Sequence, residues 1–177
     1  MSGGYHIRPA ARNDVVLLPA VELAAARLYL SQLTVTGLTP EILDKANRAE
    51  DFAAAQQFGL LWVAADDANQ PIGFALLAQI DQWLHLDELD VHPAHGRKGV
   101  GTALVKQVCQ MAQAQGYAGV TLSTFRHVPW NAPFYRQMGF AEMPPEAQTA
   151  GLQALVAGEQ ARGLQTDLRS VMWFEVR

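Results

Sequence analysis

The chain is short of cysteine and of charge. Of its 177 residues one is a cysteine, Cys109. A lone thiol closes no internal disulfide and excludes a zinc site built from cysteines. Cys109 lies in a stretch that reads as helix, where an inert, half-buried thiol is expected. Charged residues are 17% of the chain and the formal net charge is −4. That balance argues against a basic surface for nucleic acid. No apolar run is long enough to cross a bilayer. Residues 1–8 contain no apolar core of the kind a secretory signal has. The expectation is a soluble, cytoplasmic protein with neither nucleic acid nor membrane as partner. Repeats, low-complexity tracts and linker-like segments are missing too. Half the residues are apolar, so one domain over 1–177 has material for a sizeable core.

What is present is an orderly series of strand and helix patterns. Tyr5-His6-Ile7-Arg8 alternates and stops at Pro9, as a short first strand would. A helix is expected over 15–30, with Pro19 early enough to be tolerated. Residues 31–37 read as loop. Thr39-Pro40-Glu41 is a strong helix start, and that helix is expected to run to about Phe58, before Gly59. Strands over 60–65 and 71–80 form a hairpin across turn residues. A strand over 83–91 follows. An amphipathic helix then starts at Val100 and ends at Gly116, with Val100, Leu104, Val108 and Met111 on one row. After it come a strand over 119–124, a short helix over 131–138, a helix over 146–163 weakened by Gly151 and Gly158, and a closing strand over 171–176. Trp62, Trp83 and Trp173 fall on strands and are expected in the core. Strand, helix and strand over 83–124 make a crossover unit, so its two strands should be parallel neighbours.

The most informative stretch runs over 89–104. Leu89 and Val91 end a strand, and Pro93 stops it because it has no N–H for a ladder. The loop holds Gly96, Arg97, Lys98 and Gly99, and the helix pattern follows at once. First-turn N–H groups lack intrahelical partners, and the helix dipole is positive at that end. Glycine lets backbone approach an anion closely. The stretch therefore reads as a phosphate cradle. The dinucleotide fingerprint requires a third glycine after Gly99-Val100-Gly101, where Thr102-Ala103-Leu104 stands instead. The Walker loop requires Gly-Lys-Ser/Thr, which is absent.

Two segments together resemble the GNAT superfamily of N-acetyltransferases. One is Leu89-Asp90-Val91-His92-Pro93 followed by Gly96-Arg97-Lys98-Gly99-Val100-Gly101. It is similar to the family's Gln/Arg-x-x-Gly-x-Gly/Ala loop, except that Gly96 takes the Gln/Arg position and Arg97 follows. The other is Asn131-Ala132-Pro133-Phe134-Tyr135-Arg136-Gln137-Met138-Gly139-Phe140, similar to Asn-x-x-x-Phe-Tyr-x-x-x-Gly-Phe. The order of elements resembles the family over nearly the whole chain.

The resemblance implies an α/β fold: a twisted mixed sheet of about six to seven strands flanked by helices. Acetyl-CoA would be the co-substrate, lying between the splayed strands 83–91 and 119–124. Its pantetheine arm would follow Leu89, Asp90 and Val91. Its pyrophosphate would meet Gly96, Arg97, Lys98, Gly99, Val100, Gly101 and Thr102. Asn131, Phe134 and Tyr135 complete the implied cofactor contacts. Tyr135 would give the leaving thiolate its proton, the alternative being a packing aromatic. Asn131 would bond the arm, the alternative being a helix cap. The base would be a carboxylate on strand 83–91, Glu88 or Asp87, with His85 third. Strict alternation puts Leu84, Leu86, Glu88 and Asp90 on one face and His85, Asp87, Leu89 and Val91 on the other. Trp130 would wall the acceptor pocket, and Arg126 with His127 reads as an exposed loop pair. His92 and His95 have no further ligands nearby, so no metal is expected. The acceptor would be a small-molecule or peptide amine, and family members are often homodimers. The rival reading is a non-catalytic acyl-CoA-binding module or sensor.

Overall fold

Seven strands pair into one mixed sheet in the computed structural model, which describes residues 4–176. They are β1 (Tyr5–Pro9), β2 (Leu61–Asp66), β3 (Pro71–Ile80), β4 (Trp83–Val91), β5 (Gly119–Phe125), β6 (Ala141–Glu142) and β7 (Arg169–Glu175). Their order is β1-β2-β3-β4-β5-β7-β6. Neighbours are antiparallel except β4 and β5, which are parallel as the crossover requires. The helices are α1 (Leu18–Ala26), α2 (Leu33–Thr36), α3 (Pro40–Leu43), α4 (Ala49–Gln57), α5 (Val100–Ala114), α6 (Ala132–Gln137) and α7 (Ala150–Ala161).

Helices cover both faces. Against α5 and α6 the sheet packs Leu84, Leu86, Val120, Leu122 and Met172 around Leu104, Val108 and Tyr135. On the opposite face Val63, Phe74 and Leu76 pack on Leu18, Val21 and Phe52 of α1 and α4. Trp83 and Val171 meet Leu152 of α7. The expected core tryptophans differ among themselves: Trp83 is buried, while Trp62 and Trp173 are half-buried.

Three helical expectations need correction. The first helix ends at Ala26, tightens into a 3-10 turn over Arg27–Ser31, and is followed by α2 where a loop was expected. The expected helix over 40–58 is two helices, with 44–48 between them. Asn47 gives its N–H to the Glu22 carboxylate. An N–H spent on a side chain is not available to the carbonyl four residues back. The expected helix over 146–163 is a 3-10 turn (Pro145–Ala147) followed by α7, capped by Thr149.

Two features of β4 build the site. It pairs with β5 only from Trp83↔Gly119 to Leu86↔Leu122. Beyond Leu86 the strands part, and β4 keeps β3 on one edge with the other edge free. The second feature is a bulge. Leu76 faces Glu88 while Leu77 faces Leu86, so Asp87 is the extra residue. Strict alternation therefore fails past Leu86. Leu84, Leu86, Leu89 and Val91 all lie toward α5, and Glu88 turns to the α1 side, where it meets Asn47.

Candidate functional site

The loop after β4 presents bare backbone. Arg97 (φ +58) and Gly99 (φ +82) are left-handed, and α5 begins at once with Val100. Among the described residues no acceptor receives the N–H of Arg97, Lys98, Gly99, Val100, Gly101 or Thr102. Successive outward N–H groups with left-handed residues between them form an anion-binding concavity. A Cβ on Gly99 would stand 3.3 Å from the Tyr5 hydroxyl, in a conformation that side chains avoid.

This loop closes one end of a groove of about 850 Å³. Leu89, Asp90 and Val91 form one wall, and Asn131, Phe134 and Tyr135 the other. Gly96, Arg97, Gly99, Val100, Gly101 and Thr102 lie at its end. Lys98 does not reach the groove. Its ammonium donates to the Ala94 carbonyl at 3.0 Å, because the left-handed turn at Arg97 carries the next side chain outward. Trp130 lines this groove and not the smaller cavity beyond it.

That second cavity, of about 260 Å³, lies on the far side of the strand gap. Tyr29, Leu89, Asp90, Asn131 and Tyr135 line both. Asp87 and Glu88 line only the smaller one, and His85 lines neither. His85 is buried with Nδ1 3.0 Å from Thr121 Oγ1, and burial pushes it down to about 4. It is neutral and cut off from both spaces.

Tyr135 is buried between Phe134 (5.1 Å between centroids) and Phe140 (5.6 Å). Its hydroxyl makes no hydrogen bond among the described residues, and the residue lines both cavities. Burial holds the phenol far above its ordinary range, so it stays protonated. Asn131 is not a side-chain cap. Its Oδ1 accepts from the Tyr29 hydroxyl at 3.0 Å. The Tyr29 ring packs on Phe125 and Trp130, and burial pushes its phenol up to about 12.

The carboxyls gather on the smaller cavity. Glu22 comes from α1, Glu88 and Asp90 from β4, and Asp87 stands at the rim. The Asn47 amide donates to Glu88 Oε2 at 2.6 Å, and its backbone N–H to Glu22 at 3.0 and 3.1 Å. Burial, then the charges of Asp90 and Glu22, hold Glu88 well above the usual carboxylate range. Burial and Glu22 push Asp90 up to about 7. Arg169, also on this cavity, is engaged by Glu159 at 2.9 Å. Arg126 and Arg136 both pair with Glu142, away from either space. Burial pushes the Cys109 thiol up to about 11, which keeps it unreactive. Among the described residues, no cluster of three or more His, Cys, Asp or Glu is arranged to hold a metal ion, and no helix is long and apolar enough to cross a membrane.

Glu22, Tyr29 and Asn47 escape a reading of the sequence. Glu22 left a trace: it is the one charge in the apolar run Val21-Glu22-Leu23-Ala24-Ala25-Ala26. Tyr29 and Asn47 left none.

The fold is shared with solved acetyltransferases. PaiA N-acetyltransferase from Thermoplasma acidophilum, in complex with coenzyme A, matches with a TM-score of 0.71 over 98% of this chain and 99% of its own, at 16% identity. An acetyltransferase from Brucella melitensis in complex with acetyl-CoA gives 0.57 over 78% and 83%, at 20% identity. At these identities the likeness is one of fold. Residues 25–140 match the acetyltransferase (GNAT) family. The chain belongs to that family and is an acetyltransferase. A peptidyl-lysine N-acetyltransferase, YjaB of Salmonella typhimurium, is 31% identical over 105 residues, which are 58% of this chain. The match spans 66% of that relative's length.

Proposed function

We propose that this chain moves the acetyl group of acetyl-CoA directly to a primary amine, with residues 1–177 acting as one catalytic domain. The observation that carries the reading is the meeting of the two cavities at Leu89, Asp90, Asn131 and Tyr135, where β4 and β5 part. The larger groove suits the cofactor. Its backbone N–H groups over 97–102 suit a pyrophosphate, and the free edge of β4 suits an extended, amide-bearing arm. Asn131 and Phe134 would guide that arm toward Tyr135.

The smaller cavity suits the acceptor. Its amine arrives as an ammonium, and a carboxylate takes the proton, Glu88 or Asp90 ahead of the exposed Asp87. The freed nitrogen attacks the thioester carbon. The C–S bond breaks as the C–N bond forms, the second nitrogen proton goes to solvent, and Tyr135 gives its proton to the departing thiolate. Asp90 thus serves twice: its backbone edge for the arm, its carboxyl for the acceptor side. Apolar Leu38, Ile42, Leu43 and Leu164 line the same cavity, which suits a small amine or one extended side chain. The similarity to a peptidyl-lysine N-acetyltransferase makes a lysine peptide the first acceptor to try.

The test is CoA thiol release with lysine peptides and a panel of small amines. Tyr135→Phe is expected to lower turnover by about a hundredfold, the scale of a lost general acid, while acetyl-CoA still raises the melting temperature. An unchanged rate removes Tyr135 as acid. Tight acetyl-CoA binding with no release from any acceptor favours the non-catalytic module instead.

A further inference from the structure

We infer that Asn47 and Glu22 are positioning residues that set, from opposite sides, how strongly the β4 carboxyls hold the acceptor's proton. The inference rests on the reading that Glu88 and Asp90 supply the base.

Asn47 sits in the break between α3 and α4, where its backbone is free of helix. Its N–H donates to both Glu22 oxygens at 3.0 and 3.1 Å. Its side-chain amide donates to Glu88 Oε2 at 2.6 Å and to Glu22 Oε1 at 3.4 Å. One residue thus bridges two buried acids from different elements. Donors favour the ionised form of the group they bond. Glu22 acts the other way: its charge, close to Glu88 and Asp90, favours their protonated forms.

Around Glu88 stand Asp87 and Asp90 from its own strand, Glu22 from α1, Tyr29 from the 3-10 turn, and Tyr135 from α6. Lys45 is exposed at the rim, and Arg169 from β7 is held by Glu159 of α7. Arg162, just past the end of α7, acts on Asp87. β3 presents Leu76 opposite Glu88, and β5 presents Leu122, Ser123 and Thr124, none of them charged. Among the described residues, no cation forms an ion pair with Glu22, Glu88 or Asp90. A base works best when its proton affinity lies near the working pH. Asn47 lowers that affinity and Glu22 raises it.

The two substitutions therefore have opposite signs. The rate is followed against pH at saturating acetyl-CoA, with one amine throughout, so the amine's own titration is common to all variants. Asn47→Ala removes the side-chain donors, and the acid limb should move to higher pH. Glu22→Gln removes a negative charge at constant shape, and the limb should move to lower pH. Asn47→Ser, which keeps a short donor, should return the limb part of the way. The acetyl-CoA thermal shift should persist in all three, which shows that each is folded. A midpoint that stays put in both, or moves the same way in both, overturns the inference while leaving the base assignment intact. If Glu88→Gln and Asp90→Asn both keep wild-type rates, the base assignment falls, and the inference with it.

Discussion

The larger groove and the smaller cavity share a wall but are made of different material. The groove is backbone. Its anion end is a run of N–H groups in one loop and one helix turn, and its long side is the free edge of one strand. The cavity is side chains. Glu22, Tyr29, Glu88 and Asp90 reach it from a helix, a 3-10 turn and a bulged strand, and Asn47 in a helix break bonds Glu22 and Glu88. A backbone site tolerates exchange of side chains and is written in contiguous residues. A side-chain site can be rewritten one residue at a time.

The contrast is broken most directly at Gly99. Its left-handed φ of +82 is open to glycine and costs a β-branched residue about 1–3 kcal/mol. Gly99→Val should turn or close the cradle and weaken acetyl-CoA by about tenfold to a hundredfold, since roughly 1.4 kcal/mol is a factor of ten. The measurement is the acetyl-CoA-induced shift in melting temperature, with circular dichroism as the check on folding. That strain also lowers the unliganded melting temperature, by about 2–4 °C per kcal/mol, so the shift is read against the variant's own unliganded value. A full thermal shift in the folded variant would mean that the groove's anion end is not this backbone.

The same contrast explains what could be read from the sequence. The cradle was legible because strand, glycine and helix start are consecutive, and backbone geometry follows from local residue types. The parallel pairing of β4 with β5 was legible from the crossover alone. The bulge at Asp87 was not. A period of two carries no mark where a strand takes up an extra residue, so Glu88 and Leu89 were assigned to the wrong faces. Asn47 was hidden for a related reason. Propensity favours one helix after Pro40, and what divides it is the Glu22 carboxylate on another helix. Tyr29 lies in an apolar helical run, where an aromatic reads as core.

Tyr29 is where the two regions are joined, and the next smaller effect belongs there. Its hydroxyl donates to Asn131 Oδ1 at 3.0 Å, so the amide of Asn131 is held by a residue that lines both the groove and the smaller cavity. Tyr29→Phe keeps the ring contacts with Phe125 and Trp130 and removes one hydrogen bond, a net loss of about 1 kcal/mol. KM for acetyl-CoA should rise about fivefold, with KM for the amine nearly unchanged. In Asn131→Ala the further change Tyr29→Phe should have little effect, the non-additivity expected when one residue acts through another. A rise confined to the amine would place Tyr29 with the cavity alone and sharpen the division between the regions.

The smallest expected effect is the most exacting for the backbone argument. Lys98 lies in the cradle's sequence, next to Gly99, and carries a full positive charge. If the groove's anion end depended on charged side chains, its removal would be costly. Its ammonium, however, donates to the Ala94 carbonyl, is exposed and lies outside the groove lining. An exposed charge near an anion contributes at most about 1 kcal/mol and is screened by salt. Lys98→Ala should therefore change KM for acetyl-CoA by less than about fivefold at physiological ionic strength. The difference from wild type should shrink further as salt is raised. Six unpaired N–H groups and a helix terminus remain in place when the side chain is gone. A loss of about tenfold that vanished in high salt would move the binding energy from backbone to side chain, and the groove and the cavity would then be built alike.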